Sequence, residues 1–319
     1  MKVRSLFIAL AAFAVVGAAH AQQPAYPTRA VTLVLPYPPG GTIDIQGRLL
    51  AAGLQQKLGQ PFVPRNMPGA SGAIATEFVA RAAPDGYTLL FGSSAQTTSV
   101  PMAEKVSYKL EDFAPVSASG RGTMVLAINS KLPPKTLKEF IDYAKANPGK
   151  LNYGSPGSGS VGHLVGALFV ARAGIDVVHV PYKGGGPAMQ DLLGGQMDML
   201  FGNSGEVMSN AKNERIRLIG VSTRERMKQL PNIPAVSELL PGFEMTAWQG
   251  TLAPARTPRY IIELLSNAIQ ALSREPATIA RLNEVGVEST TTTPEQMAEI
   301  IRAEQAVYAE AVKAAGLAK

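Results

Sequence analysis

Short apolar runs alternate with helical patterns along the N-terminal part of the chain. Residues 30–35 form a β-rich apolar run, and a helical pattern follows over residues 42–57. The same order recurs with an apolar pair at 62–63, a helical pattern over 70–83 and an apolar run over 87–91. Such alternation is typical of mainly parallel sheets flanked by helices, so the pattern predicts an α/β fold.

A second block of the same kind begins near residue 124, and the chain then ends in helical patterns. The strand-like runs of this block lie at residues 124–128, 151–153, 177–180, 197–201 and 216–221, with helical patterns between them. The C-terminal helical patterns cover residues 260–274, 277–285 and 294–315. Because these helices have no partner strands of their own, we expect them to cover the sheet of the first block.

That arrangement implies that the chain crosses twice between two lobes. A first lobe would comprise residues 22–122 and 248–319, and a second lobe would comprise residues 123–247. Two crossings of this kind form a hinge.

The N-terminus has the three parts of a secretory signal peptide. Lys2 and Arg4 supply positive charge, residues 6–16 form an apolar core, and Ala19 and Ala21 give a small-x-small cleavage pattern. The apolar core is about half of the ~20 residues that a membrane span needs. The sequence therefore predicts cleavage after Ala21 and a periplasmic protein.

Composition excludes several kinds of function. The formal net charge is +6, the basic residues are scattered, and aromatic residues make up 6% of the chain, which argues against nucleic-acid binding. The chain has no cysteine, so disulfides and thiolate sites are excluded. His163 and His179 are too few and too far apart to suggest zinc, so we expect no metal and no cofactor.

The first candidate site is the glycine-rich loop at residues 36–41. Gly40 and Gly41 permit close backbone approach, and Thr42 is the expected N-cap of the following helix. A helix start presents unpaired N–H groups and a partial positive charge, which favour an anion. Asp44 either complements the helix dipole or hydrogen bonds to a ligand, and the sequence leaves both roles open.

The second candidate site is the Gly/Ser loop within residues 153–163. Its hydroxyls and glycines are Ser155, Gly157, Ser158, Gly159, Ser160 and Gly162. The three glycines match G-x-G-x-x-G, but a dinucleotide site needs a strand running directly into the first glycine and an acid ending the next strand. The next strand ends without an acid at residues 179–181, so the pattern indicates an anion site without a nucleotide.

Two further loops follow strands in the same block. In residues 181–187, Pro187 suits the first position of a helix, and Lys183 is not followed by Ser or Thr, so no phosphate-binding P-loop is present. Residues 202–205 form a fourth loop that contains Asn203. Neither G-x-S-x-G nor H-E-x-x-H occurs and the carboxylates are dispersed, so we predict a binding protein rather than an enzyme.

These loops resemble those of the Bug family, the periplasmic receptors of tripartite tricarboxylate transporters. The resemblance covers nearly the whole mature chain. The segments that support it are PYPPGG at 36–41 with Asp44, DGYTLL at 85–90, YGS at 153–155, GS at 159–160, HL at 163–164, VPYKG at 180–184, PA at 187–188, DLLGG at 191–195, AW at 247–248, APA at 253–255 and TP at 257–258.

The resemblance implies a type-II periplasmic binding protein whose two lobes close over a ligand, with membrane permease subunits as partners. In the family a ligand carboxylate is held by the first loop and the Tyr-Gly-Ser loop, often through water. With residues of the 92–97 segment and of the fourth loop added, the candidate ligand-binding residues are Tyr37, Gly40, Gly41, Asp44, Ser94, Ala95, Ser155, Gly157, Ser160 and Asn203.

The chain departs from the family pattern at three positions. Many relatives have Glu where this chain has Ala167, Asp where it has Gly202, and Gly where it has Arg256. The loss of two acids near the loops of the second lobe is expected to change the polarity around the site.

Our hypothesis from the sequence is a monomeric, non-enzymatic receptor for a small organic carboxylate. Two facing helix starts would suit a dicarboxylate, while a monocarboxylate, an aromatic acid or a neutral amide is an alternative because water-mediated contacts adapt. A receptor that serves a sensor or an ABC importer is the second hypothesis, and a periplasmic enzyme is the third.

Overall fold

Two β-sheets organise the part of the chain that the computed structural model describes, residues 25–318. The signal peptide and its cleavage after Ala21 lie outside these residues. The strands of the described chain are β1 (Val31–Leu35), β2 (Phe62–Asn66), β3 (Thr88–Ser93), β4 (Phe113–Gly122), β5 (Met124–Asn129), β6 (Leu151–Ser155), β7 (Val177–Pro181), β8 (Met199–Asn203), β9 (Ile216–Val221), β10 (Ala247–Pro254) and β11 (Val287–Ser289).

The strands of each sheet point mainly in one direction. The first sheet has the order β11-β4-β10-β3-β1-β2, and the second has the order β7-β6-β8-β5-β9. β1 pairs in parallel with β2 and β3, whereas β10 runs antiparallel to β3 and β4, and β11 runs antiparallel to β4. In the second sheet β6 pairs in parallel with β7 and β8, whereas β5 runs antiparallel to β8 and β9. This mixed two-sheet architecture confirms the predicted α/β class.

Helices flank both sheets. They are α1 (Thr42–Leu58), α2 (Ala73–Ala80), α3 (Val100–Ala103), α4 (Leu137–Ala146), α5 (Val161–Ala173), α6 (Gly185–Gly194), α7 (Ser204–Met208), α8 (Arg259–Ser273), α9 (Pro276–Glu284) and α10 (Pro294–Ala314). We call the first sheet with the helices packed on it the first lobe, and the second sheet with its helices the second lobe.

The core of the first lobe forms where α1 and α8 cover the sheet. Leu33 and Leu89 of the strands are fully buried against the helices. In α8 the apolar positions Ile261, Leu265 and Ile269 recur every four residues and therefore lie on one face. Fully burying one such side chain contributes about 1.5–3 kcal/mol. The expectation that C-terminal helices cover the first sheet is thus met by α8.

The last helix, α10, packs on both lobes. It contacts β4 in the first lobe and α5 in the second. Glu310 of α10 pairs with Arg172 of α5 at 2.7 Å, and Tyr308 is fully buried in the same region. The sequence pattern assigned this helix to the first sheet alone, whereas the structure makes it a bridge.

The chain enters α2 through a turn in an unusual conformation. Gly69, Ala70, Ser71 and Gly72 all have positive φ, with values of 135°, 45°, 52° and 95°. Non-glycine residues rarely adopt this region, and such strain is concentrated at functional sites. The predicted helix over residues 70–83 was therefore too long, because regular helix begins only at Ala73 and ends at Ala80.

Candidate functional site

The candidate loops lie where strands of the two sheets end. In α/β sheets, ligands bind at the carboxyl ends of the strands. The loops after β1, β3, β6, β7 and β8 all leave such ends. The two lobes meet at this edge, because the Ser71 hydroxyl donates a hydrogen bond to the Ser158 carbonyl over 3.2 Å.

The first loop presents the start of α1. Gly40 has a φ of 89°, and its N–H donates to Asp44 Oδ2 at 2.9 Å. The N-cap is Gly41, which has no side chain to satisfy the first N–H groups, so the expected Thr42 N-cap was wrong. A Cβ on Gly41 would meet only the Pro38 carbonyl, at 3.9 Å, so the protein leaves space there. This backbone can approach an anion closely.

The Asp44 carboxylate is engaged inside the first lobe. It accepts hydrogen bonds from Arg48 Nε at 3.0 Å and Asn66 Nδ2 at 2.9 Å, besides the one from Gly40. Burial opposes ionisation of Asp44, but the hydrogen bonds from Arg48, Gly40 and Asn66 outweigh it and lower the pKa of the carboxyl. Asp44 therefore shapes the loop, and a direct contact with ligand stays a prediction.

Tyr37 joins the first loop to the segment after β3. Its hydroxyl accepts a hydrogen bond from Gln96 Nε2 at 3.1 Å, and its carbonyl accepts one from Asn66 Nδ2 at 2.9 Å. Burial raises the pKa of Tyr37, so the phenol stays neutral. The sequence did not single out Asn66. Its position at the end of β2, on the same edge as the other loops, is the signal that could have found it.

Ser94 and Ala95 are almost completely buried. The Ser94 hydroxyl donates to Glu304 of α10 at 2.9 Å and accepts from the Trp248 N–H at 3.2 Å. Ala95 opens a turn of π-helix, Ala95–Ser99. Such turns often accompany functional sites. In the structure the Ser94 side chain fastens the segment to α10, and contact of this segment with ligand stays a prediction.

Glu304 is a partly buried acid that the sequence did not reveal. Its carboxylate accepts from Ser94, from Thr98 Oγ1 at 2.6 Å and from Trp248 Nε1 at 3.2 Å. Burial raises its pKa to about 7, although these hydrogen bonds act in the opposite direction. The acid joins α10, the π-helical turn and β10 at one point.

The second loop is held by uncharged groups. The Ser155 hydroxyl lies 2.7 Å from His179 Nε2 and accepts from the Gly157 N–H at 3.2 Å. Gly157 has a φ of 145°, which favours glycine. Ser160 caps α5, since its hydroxyl accepts from the His163 N–H at 3.3 Å. Three of the candidate residues therefore meet in this loop.

Two stacked histidines support the second loop from below. The rings of His163 and His179 lie 3.6 Å apart and nearly parallel. His163 Nδ1 accepts from the Gly159 N–H at 3.1 Å, which requires that nitrogen to be unprotonated. Burial lowers the pKa of His163 to about 3, with repulsion from His179 adding to it, and burial lowers the pKa of His179 to about 4. Both rings are neutral at pH 7.

The third and fourth loops complete the wall of the second lobe. The Gly184 N–H donates to the Pro156 carbonyl at 3.0 Å, so the third loop contacts the second. The helix that follows, α6, begins at Gly185, so the expected start at Pro187 was wrong. Asn203 is partly buried and is the N-cap residue of α7, without a capping bond from its side chain.

Residues 25–318 contain neither a cluster of metal ligands nor a helix able to cross a membrane. No group of three or more His, Cys, Asp or Glu side chains there could hold a metal ion. None of the helices in that range is long and apolar enough to cross a membrane.

The sequence matches a known family over most of its length. The profile of the tripartite tricarboxylate transporter family receptor matches residues 47–317. The chain belongs to this receptor family. Among similar proteins in it, BugT of Bordetella pertussis is 35% identical over 320 residues, which span 99% of this chain and 97% of BugT. The predicted resemblance to Bug receptors is therefore confirmed.

Solved structures of related proteins have the same fold as this chain. An R. palustris protein solved with adipate is 34% identical, with a TM-score of 0.86 over 92% of this chain and 99% of that one. MatC from Rhodopseudomonas palustris, solved with bound malate, is 31% identical, with a TM-score of 0.82 over 90% of this receptor and 100% of MatC.

Proposed function

We propose that this receptor captures a small organic carboxylate between its two lobes in the periplasm. The observation that supports this most is the pair of helix starts, of α1 at Gly41 and of α5 at Ser160, which follow glycine-rich loops in different lobes. Each start presents backbone N–H groups and a partial positive charge, which suit an anion. The adipate and malate of the related structures are both carboxylates.

Closure of the lobes would enclose the ligand. We propose lobes at residues 22–122 with 248–319 and at 123–247, with a hinge at the junctions of β4 with β5 and of β9 with β10. Gly122 ends β4 and Met124 begins β5, which leaves a single residue between the sheets. The contact between Ser71 and Ser158 is the kind of bond that closure would form and opening would break.

The proposal includes the setting in which the receptor works. The chain would be exported, cleaved after Ala21 and active as a monomer without catalysis. The closed form would be presented to the integral-membrane permease subunits of a tripartite transporter. A receptor of a sensor or an ABC importer would bind ligand in the same way but have another partner.

A thermal-shift screen of the mature protein against mono-, di- and tricarboxylates tests the binding. A ligand at ~100 times its dissociation constant should stabilise the protein by about 2.7 kcal/mol. Absence of any shift across all three classes would overturn the carboxylate proposal. Recovery of the bound compound unchanged is expected, and its conversion to a product would establish the periplasmic enzyme instead.

A further inference from the structure

Glu206 lies at the cleft edge of the second lobe and has no part in the site described so far. It belongs to α7, which directly follows β8, and it comes three residues after Asn203. Because β7 and β8 each pair in parallel with β6, the loops that follow these three strands lie side by side at one edge of the sheet. Glu206 therefore belongs to the same wall as the Gly/Ser loop.

The carboxylate of Glu206 packs against the third loop. A Cβ on Gly185 would overlap both of its oxygens, so the absence of a side chain at Gly185 makes the room it occupies. The same loop is bonded to the second loop through Gly184 and Pro156. The third loop thus lies between Glu206 and the second loop, which holds the candidate residues Ser155 and Gly157.

No cation or hydrogen-bond donor of residues 25–318 contacts the Glu206 carboxylate, although the side chain is partly buried. The residue's backbone carbonyl accepts from Asn210 Nδ2 at 2.9 Å, and its side chain does not share in that bond. Asp44, on the opposite wall, is paired with Arg48 and two further donors. The carboxylate lies beside Gly185, where α6 begins, and the partial positive charge of that helix start offsets part of its negative charge. Since it accepts no hydrogen bond from the described residues, it is available to accept one from a ligand in the cleft. Burial raises its pKa to about 7, which agrees with an environment that lacks a cation.

We propose that Glu206 selects the far end of the ligand, so that the receptor prefers a carboxylate whose other end donates a hydrogen bond. An amine fits this chemistry best, and an amide N–H or a hydroxyl fits it less strongly. This inference rests on the proposed function, because it assumes that the helix starts hold the first carboxylate.

The preference follows from charge. A ligand ammonium would supply the charge-assisted hydrogen bond that the Glu206 carboxylate lacks. At a pH above 7, where the Glu206 carboxyl is ionised, a second carboxylate would face a like charge in a partly desolvated site, and like charges placed together oppose binding. Adipate, with which one relative was solved, has a carboxylate at each end. This receptor would therefore prefer a different kind of ligand.

Matched ligand pairs test the inference directly. Isothermal titration of the mature protein at about pH 8.5, where Glu206 is ionised, would compare adipate with 6-aminohexanoate. Succinate and glutarate would be compared in the same way with the straight-chain amino acids of equal carbon number that carry the amine at the far end. We expect the wild type to favour the amino compounds about tenfold. Glu206→Gln should remove this preference by weakening the amino compounds and tightening the dicarboxylates. Gly185→Ala, which displaces the carboxylate, should shift the preference in the same direction.

Glu214→Gln is the matched control, since Glu214 is an exposed acid of the same lobe and its loss changes the net charge equally. It should leave the preference unchanged. If both ligand classes bind and Glu206→Gln does not alter their ratio, the inference is wrong while the proposed function stands. If neither class binds to folded wild type, the proposed function fails and this inference fails with it.

Discussion

The loops after β1 and after β6 present helix starts alike but are supported by different chemistry. In the first lobe the support is ionic, with Asp44 held by Arg48 and Asn66. In the second lobe it is neutral, with Ser155 and the Gly159 N–H held by two stacked histidines. An anion site built from backbone therefore does not require a particular set of side chains beneath it.

Each kind of support makes its loop sensitive to a different solution condition. The first loop keeps a partly exposed Arg48 near the cleft, so its support is open to screening by salt. The second loop avoids charge by keeping the histidines unprotonated, which makes it sensitive to acid. The two loops are therefore expected to lose their support under different conditions.

Replacing the central glycine of each loop should give the largest contrast. Gly157→Val should cost about 2–3 kcal/mol of unfolding free energy, because the φ of 145° is strained for a branched residue, and ligand binding should be lost. Gly41→Val should leave stability nearly unchanged, since its φ is −80° and there is space for a Cβ, yet weaken binding. Urea unfolding and titration with the ligand found in the screen measure both. Equal stability losses would show that the loops do not differ in this way.

Removing the charge of Asp44 should have a smaller effect. Asp44→Asn keeps the shape but loses charge-assisted bonds from Arg48 and the Gly40 N–H, so we expect a loss of about 1–2 kcal/mol. The loss should shrink at high salt, because Arg48 is partly exposed. Ser155→Ala in the second loop is the matched comparison, and its effect should not depend on salt. A salt-independent Asp44→Asn would contradict an ionic support.

As the pH falls, the second loop should lose stability before the first loop does. The size of this effect should be smaller than that of the substitutions above. His163 and His179 have folded pKa values of about 3 and 4 against 6.5 unfolded, so the unfolded state binds more protons between these limits. Their stabilisation is complete above pH 6.5 and is lost as the pH falls through this window. Asp44 has a lowered pKa, so it loses its stabilising contribution only when the pH falls below the pKa of an ordinary carboxyl group.

The variant His179→Gln isolates this effect. Burial raises the pKa values of Glu206 and Glu304 to about 7, which acts in the opposite direction between pH 7 and 4.5 but is common to both proteins. After allowance for the partial exposure of the rings, we expect the wild type to lose about 1 kcal/mol more than His179→Gln between pH 6.5 and 4.5. Parallel stability curves would show that the stack does not titrate as described.

Much of the fold follows from the sequence because its strands and helices have clear periods. The predicted strand at 216–221 and helix at 137–146 match the structure residue for residue. The pattern does not predict β4, because Pro115, Gly120 and Gly122 interrupt it. These residues are tolerated because neighbours on both sides stabilise the strand, which is information that the local sequence lacks.

The candidate site was predicted less completely, for a related reason. Glycine-rich loops at strand ends are visible in the sequence, and the loops holding Gly40 and Gly157 were found from it. Asn66, Glu206 and Glu304 were not, because each acts on residues far away in the chain, such as Tyr37 for Asn66 and Ser94 for Glu304. A single polar residue at a strand end gives no local signal of the partner it will meet.

The position of β10 also sets the order in which the chain can be assembled. β10 lies between β3 and β4, so the first sheet remains split until residue 254 is available, although its other principal strands precede residue 123. The second sheet uses only residues 124–221 and is complete earlier. A chain that emerges from its N-terminus must therefore hold two unjoined fragments apart while the second lobe matures, and pulse-labelled hydrogen exchange would show β5–β9 protected before β3 and β4.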